Sequence, residues 1–230
     1  MIIVVGASSS IGKQLLPDLL KIDKVLGTTT SIEKLAEFES SPNFSSLELD
    51  LADKDSIEAA CSIFSKLKGK VTFLNLSAVS IDKLFMSYTQ DEWDLAMNLN
   101  LNSGIRLIQS LIPVMMRAKW GRIISTSSIV AHNCPAGTAA YAASKAGLIA
   151  MTKTLAHEYG RFGITANTLT LGYFDSGLTR SINEKMQQEI MKRIPRGAFG
   201  SCTDISHAIN FIIKTDFLSG SEITIDGGYN

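Results

Sequence analysis

The 230-residue chain is short of cysteine, of charge and of any long apolar run. Cys61, Cys134 and Cys202 are odd in number, far apart and outside any C-x-x-C pair. That excludes a disulfide framework and leaves reduced thiols of a cytoplasmic protein, buried as packing. Twenty-two basic and 22 acidic side chains leave a formal net charge of zero, whereas coating nucleic acid or an anionic membrane needs a basic excess. No run approaches the roughly 20 apolar residues that a bilayer demands. Met1-Ile2-Ile3-Val4-Val5 has neither the basic lead nor the cleavage site of a signal peptide. Neither nucleic acid nor membrane is therefore expected as a partner. His132, His157 and His207 pair with no second ligand at metal spacing, so no metal is expected, and only His132 is placed to face a substrate.

What is present is an apolar fraction of 45% arranged in two alternating kinds of segment. Short β-branched runs occur at Ile2 to Val5, Val25 to Thr30, Leu47 to Leu49, Val71 to Leu76, Arg122 to Thr126, Ile164 to Leu169 and Glu222 to Ile225. Between them lie stretches of helical spacing such as Ile57, Ala60, Cys61, Phe64 and Leu67. Strands apolar on both faces and alternating with helices predict an α/β fold, a doubly wound (Rossmann) seven-stranded parallel sheet with helices on both faces. The five prolines are scattered, no linker interrupts the pattern, and one domain over 1–230 is expected. Pro17 falls inside the first helix and should kink it.

In such a sheet ligands bind beyond the carboxyl ends of the strands. The first turn there reads Gly6-Ala7-Ser8-Ser9-Ser10-Ile11-Gly12-Lys13. Its small residues admit a phosphate to the N-terminus of the following helix. A Walker A loop fails twice, having four residues between its glycines and Ser or Thr after Lys, where this turn has five and Gln14. By itself the turn is equally compatible with a plain strand–helix junction. A second constellation carries more. Tyr141 and Lys145 are four apart, one helical turn, and an ammonium beside a phenol would lower its pKa and make it a usable acid or base. Thirteen residues before Tyr141, the apolar run Gly121-Arg122-Ile123-Ile124 ends in Ser125-Thr126-Ser127-Ser128, whose hydroxyls can donate to a carbonyl oxygen as it gains charge.

These segments together resemble the short-chain dehydrogenase/reductase family. The turn is similar to its T-G-x-x-x-G-x-G, with Val5 for Thr and Ser10 for the middle Gly. Gly-Arg-Ile-Ile ahead of Ser-Ser and then Tyr-Ala-Ala-Ser-Lys-Ala-Gly match its signature. Trp93 to Asn100, Ile164 to Asn167 and Ile225 to Gly228 extend the likeness over essentially the whole chain. The resemblance implies Tyr141 as acid/base, Ser128 holding the substrate oxygen, Lys145 tuning Tyr141 and binding the nicotinamide ribose, and Asn100 holding a water of a proton relay. Ser127 is the neighbouring candidate for the serine. Cofactor contacts are implied at Gly6, Ser8, Ser9, Ser10, Ile11, Gly12, Thr29, Thr30, Asp50, Leu51, Asn75, Ser77, Tyr141, Lys145, Gly172 and Ser176. Leu76 and Ala78 depart from the family's Asn-Asn-Ala-Gly, and Leu171 from its Pro-Gly. No acid follows the second strand at Thr28-Thr29-Thr30-Ser31 to repel a 2′-phosphate, so NADP(H) is favoured, with NAD(H) the alternative.

The implied reaction is NAD(P)-dependent reduction of a ketone to a secondary alcohol or its reverse. The greatest likeness within the family is to bacterial 3-oxoacyl-[acyl-carrier-protein] reductases, with another small carbonyl (sugar, steroid, polyketide intermediate) as runner-up. A catalytically silent dinucleotide-binding regulator is the rival from another class. Lys119 and Arg161 are placed near positions where those reductases meet an acidic carrier. A polar segment of 173–200 is expected as a substrate lid. Helices from Asp91 to Lys119 and from Thr138 to Gly160 would build a homotetramer.

Overall fold

The computed structural model describes residues 1–230, apart from the side chains of Leu178 and Ser181, which lie within the expected lid. Seven strands form one parallel sheet in the order β3-β2-β1-β4-β5-β6-β7. They are β1 (Ile2–Val5), β2 (Val25–Thr29), β3 (Phe44–Glu48), β4 (Val71–Asn75), β5 (Gly121–Ser128), β6 (Ile164–Leu171) and β7 (Glu222–Ile225). The reversal of order between β1 and β4 is the point where an open sheet of this kind presents a crevice.

Successive side chains of a strand face opposite sides, and β1 shows why both faces must be covered. Ile2 and Val4 pack with Leu15, Leu16 and Leu19 of α1 (Ser10–Ile22) and with Ile205, Ile209 and Ile212 of α8 (Cys202–Lys214). Ile3 and Val5 pack on the other side with Phe64 of α2 (Lys54–Phe64) and with Leu107, Leu111 and Met115 of α4 (Ser103–Ala118). Each such side chain, fully buried, contributes about 1.5–3 kcal/mol. Pro17 sits on the exposed side of α1, and the helix runs on through it to Ile22. Arg122 puts a charged side chain in the buried part of the sheet. Its guanidinium donates to the carbonyls of Ile213 and Gly121, meets Asp216, and stacks 4.3 Å from the Trp120 ring.

Several boundaries differ from the sequence pattern for physical reasons. β3 starts three residues earlier than the apolar run, because Phe44 is buried while Ser45 and Ser46, on opposite faces of an edge strand, carry no apolar signal. β5 and β6 continue through polar residues, Ser127 pairing with Thr170 and Ser128 with Leu171. The segment expected as one helix from Asp91 to Lys119 is split into α3 (Gln90–Met97), a π-helical turn (Asn98–Asn102) and α4. Cys134 corrects the expectation of buried thiols: it is exposed, with φ of 44° after the short helix α5 (Val130–Asn133), whereas Cys61 is buried. The second long helix, α6 (Ala139–Tyr159), and a helix within the segment expected as a lid, α7 (Glu184–Arg193), complete the layers. Among the described residues, no helix is long and apolar enough to cross a membrane.

Candidate active site

The carboxyl ends of β1, β4, β5 and β6 open onto a cleft of about 270 Å³ lined by residues of five distant segments, Leu76 and Ala78 after β4 among them. Ser9, Ser10 and Ile11 come from the first turn, Thr126, Ser127 and Ser128 from the end of β5, Tyr141 and Lys145 from α6, and Gly172, Phe174 and Ser176 from the loop after β6. The parallel pairing of β5 with β6 and the docking of α6 across both bring these groups together.

The turn after β1 is held by backbone constraints. Gly6 has φ of +80°, in the region that favours glycine, and a Cβ on Gly12 would lie 2.5 Å from the Ala7 carbonyl oxygen. Ser9 caps α1, its hydroxyl accepting from the Gly12 N–H at 3.0 Å. Among the described residues, the N–H groups of Ser10 and Ile11 have no acceptor, and both border the cleft. Such donors at a helix N-terminus suit a diphosphate. Thr126 Oγ1, buried and without a partner among the described residues, is a further unsatisfied polar group on the cleft. Along the same edge, Thr29 Oγ1 donates to the Ser31 carbonyl and lies 2.9 Å from Ser8 Oγ, whose hydroxyl can donate to it, and the Lys34 ammonium donates to Thr30 Oγ1 at 2.9 Å. Asp50 accepts from the Ala52 N–H in a tight turn beside Leu51, while Asp53 caps α2. Asn75 Oδ1 accepts from the Ser77 N–H and hydroxyl. These side chains fit a dinucleotide: donors for phosphates, hydroxyls for ribose, and no acid at the end of β2.

Thus Gly6, Ser8, Gly12, Thr29, Thr30, Asp50, Leu51, Asn75 and Ser77 share the carboxyl edge without lining the cleft itself.

At the other end, Tyr141 is 8% and Lys145 2% exposed. Lys145 Nζ donates to the Thr126 carbonyl at 2.9 Å and lies 5.7 Å from the Tyr141 ring centroid. Burial pushes the phenol up to about 12, with the Ser128 hydroxyl pulling it back and the Asp82 carboxylate pushing it further up. Burial likewise brings the Lys145 ammonium down to about 8. The expectation of a phenol lowered by its lysine is not met in this structure: burial raises it, and the hydroxyl of Ser128 is what pulls it back. A phenol in that state is a proton donor at neutral pH. Ser127 Oγ is bound to the Lys145 carbonyl at 3.0 Å, whereas Ser128 Oγ accepts only a 3.3 Å contact from the Val130 N–H.

Asn100 lies wholly buried in the π turn and does not line the cleft. Its Oδ1 accepts from the Val79 N–H at 2.8 Å, and its Nδ2 donates to the Val79 carbonyl and to Ser144 Oγ. Both amide protons are therefore engaged, tying the loop after β4 to α6 beside Tyr141. His132 does not line the cleft; its Nε2 pairs with Glu222 at 2.6 Å, and Thr170 donates to the same carboxylate oxygen. Thr126, Phe174 and Thr179 line the cleft without having stood out as site residues in the sequence. For Thr126 the signal was its place at a strand's carboxyl end; Phe174 and Thr179 lie in an irregular loop that no pattern resolves.

The doubly wound sheet, the phosphate turn and the buried Tyr–Lys pair define an oxidoreductase of the nicotinamide-dinucleotide class. The family described as "Enoyl-(Acyl carrier protein) reductase" matches residues 6–230. The 3-oxoacyl-[acyl-carrier-protein] reductase FabG of Salmonella typhimurium is 32% identical over 233 residues, covering 98% of this chain and 95% of the relative. The enzymes so described from Rickettsia conorii and Escherichia coli K12 are 33% and 31% identical, with the same coverage. The crystal structure of a putative gluconate dehydrogenase from Agrobacterium tumefaciens matches with a TM-score of 0.92 at 20% identity, over 100% of this chain and 95% of that one, a likeness of fold. The chain belongs to the short-chain dehydrogenase/reductase family.

Proposed function

We propose that this enzyme is an NADPH-dependent reductase of 3-oxoacyl thioesters. The observation that carries the reading is the convergence of Ser128, Tyr141 and Lys145 on one cleft whose remaining wall, Ile11, Leu76, Ala78, Leu171 and Phe174, suits an acyl chain. The 3-oxoacyl reductases among the relatives give the substrate class. When bound, the nicotinamide supplies a hydride to the carbonyl carbon.

The residues of the chain do the rest. Ser128 and the Tyr141 phenol would hold the carbonyl oxygen, and the phenol proton passes to it as charge develops. Lys145 hydrogen-bonds the nicotinamide ribose and stabilises the phenolate left behind. Asn100, with its side chain engaged, positions Val79 and α6. Ser9, Ser10 and Ile11 receive the diphosphate, Thr29, Thr30, Asp50 and Leu51 the adenosine, and Gly172 and Ser176 the nicotinamide half. Preference for NADP(H) over NAD(H) is supported by Thr30 and Lys34, which offer a 2′-phosphate a hydroxyl and a cation.

Lys119 and Arg161 flank the amino ends of β5 and β6, while Ser128 ends β5, about 23 Å from that strand's first residue at 3.3 Å per residue. A carrier protein bound there would sit far from the chain's own cleft, so those two side chains add no support to a carrier-bound substrate. The exposed Leu84, Phe85, Met86 and Leu95 beside α3 and α6 support a homotetramer, and sedimentation as a monomer would refute it. A cytoplasmic location goes with the reduced thiols and with this reaction. The test of function is NADPH and NADH oxidation with acetoacetyl and crotonyl thioesters. Reduction of acetoacetyl thioester with NADPH preferred is expected; turnover of crotonyl thioester alone would instead assign reduction of a carbon–carbon double bond.

A further inference from the structure

Ser10 occupies the position where the family pattern has its middle glycine, and its side chain is engaged. Ser10 Oγ lies 2.6 Å from Ser176 Oγ, which belongs to the loop after β6 and is 2% exposed. One turn further along α1, Gln14 Nε2 donates to the same Ser176 oxygen at 3.2 Å and to the Ser10 carbonyl at 3.1 Å. The first turn of α1 therefore grips a buried hydroxyl that is more than 160 residues away in the chain, and Ser10 and Ser176 both line the cleft.

The hydrogen-bond inventory allows this contact to run from Ser10 to Ser176. A hydroxyl has one proton and two acceptor sites. Gln14 occupies one acceptor site of Ser176. When Ser10 donates to the other, the Ser176 proton is left to point elsewhere. Its neighbours are the Cys202 thiol, a weak acceptor, and the cleft. A glycine at position 10 would leave the second acceptor site open and the rotation of the Ser176 hydroxyl unset.

We propose that Ser10, together with Gln14, is a positioning residue that fixes Ser176 as a hydrogen-bond donor into the cleft, toward an oxygen of the nicotinamide half of the dinucleotide, and so ties the loop 172–181 to the phosphate turn. This rests on the dinucleotide reading of the cleft. Ser10 thus acts on the cofactor through a second residue and not through the close backbone approach that a glycine permits.

The test compares NADPH with 2′,5′-ADP, which carries the adenosine half alone, in equilibrium titrations of the wild type, Ser10→Ala, Ser176→Ala and the double variant. Ser10→Ala is expected to weaken NADPH about five- to tenfold, the effect of one lost hydrogen bond, and to leave 2′,5′-ADP within twofold. In the Ser176→Ala background the same substitution is expected to be silent, and Ser10→Thr to restore affinity. Equal losses for both ligands would show damage to the phosphate turn, and additive losses would show two independent contacts; either overturns the proposal. Amide exchange of the free protein reads the tie without any cofactor. Ser10→Ala should speed exchange at 172–181 several-fold, and unchanged exchange there overturns the proposal. A wild type that binds no dinucleotide yet shows the exchange effect would refute the cofactor reading and leave the tie standing.

Discussion

At the end of the cleft built by β5, β6 and α6, the chemistry is held by side chains buried on all sides: Tyr141, Lys145 and, one layer behind, Asn100. At the end built by β1 and α1, it is held by backbone groups, namely the φ of Gly6, the space left at Gly12 and the N–H groups of Ser10 and Ile11. Of the departures from the family pattern, Val5, Ser10, Leu76 and Ala78 fall at or beside that second end, and Leu171, at the end of β6, falls at the first. The first end keeps Ser128, Tyr141 and Lys145 unchanged. The difference teaches where substitution is tolerated. A backbone donor survives exchange of its own side chain, whereas a phenol beside an ammonium has no substitute.

Substitutions at the two ends should therefore fail in different ways. The largest effect is expected for Tyr141→Phe, which removes the proton donor and should lower kcat about a thousandfold while leaving Tm unchanged or slightly raised; steady-state kinetics with thermal unfolding checks both. Ser128→Ala should lower kcat/KM about a hundredfold. Ser127→Ala, by contrast, loses only the bond to the Lys145 carbonyl and should cost about 1 kcal/mol of stability with kinetics within a few-fold. If the two serines behave alike, the division of labour drawn here is wrong. At the backbone-held end, Gly12→Ala forces a Cβ to within 2.5 Å of the Ala7 carbonyl oxygen. It should lower stability by about 1–3 kcal/mol, read as a fall in Tm, and weaken the dinucleotide as the turn shifts.

The smallest effect is one of pH. The Lys145 ammonium, brought by burial down to about 8, holds its proton more weakly folded than unfolded. The folded state then binds fewer protons than the unfolded state between pH 8 and the ordinary lysine range, so stability rises with pH through that window. Below pH 8 the full cost of the buried charge is present. Lys145→Met should accordingly be more stable than the wild type at pH 7, and the gap should narrow as pH rises toward 10; chemical denaturation at several pH values would show it, and a constant gap would refute it.

The period of the apolar segments was enough to predict the sheet, because Ile2 to Val5 and Val71 to Asn75 are apolar on both faces and only a covered parallel sheet uses such strands. β3 was less legible, since an edge strand can carry Ser45 and Ser46. The π turn at Asn98–Asn102 was hidden for a different reason: its apolar spacing continues that of α3 and α4, and only the burial of Asn100 distinguishes it. Tyr141, Lys145 and Ser128 were legible from spacing, because one helical turn and one strand end place them without tertiary detail. The state of Tyr141 was not legible. Spacing predicts the helpful charge of Lys145, but the desolvation that opposes it comes from the packing of α6 against the sheet.

That state is the central claim: a protonated Tyr141 phenol, beside a Lys145 ammonium, delivers the proton during carbonyl reduction. The pH profile of kcat/KM for NADPH-dependent reduction of acetoacetyl thioester, from pH 6 to 10, tests it most directly. A rate level through neutrality and falling above about pH 8, as Lys145 loses its charge, is predicted. A rate that climbs through pH 8 to 9, or no reduction at any pH, would contradict it.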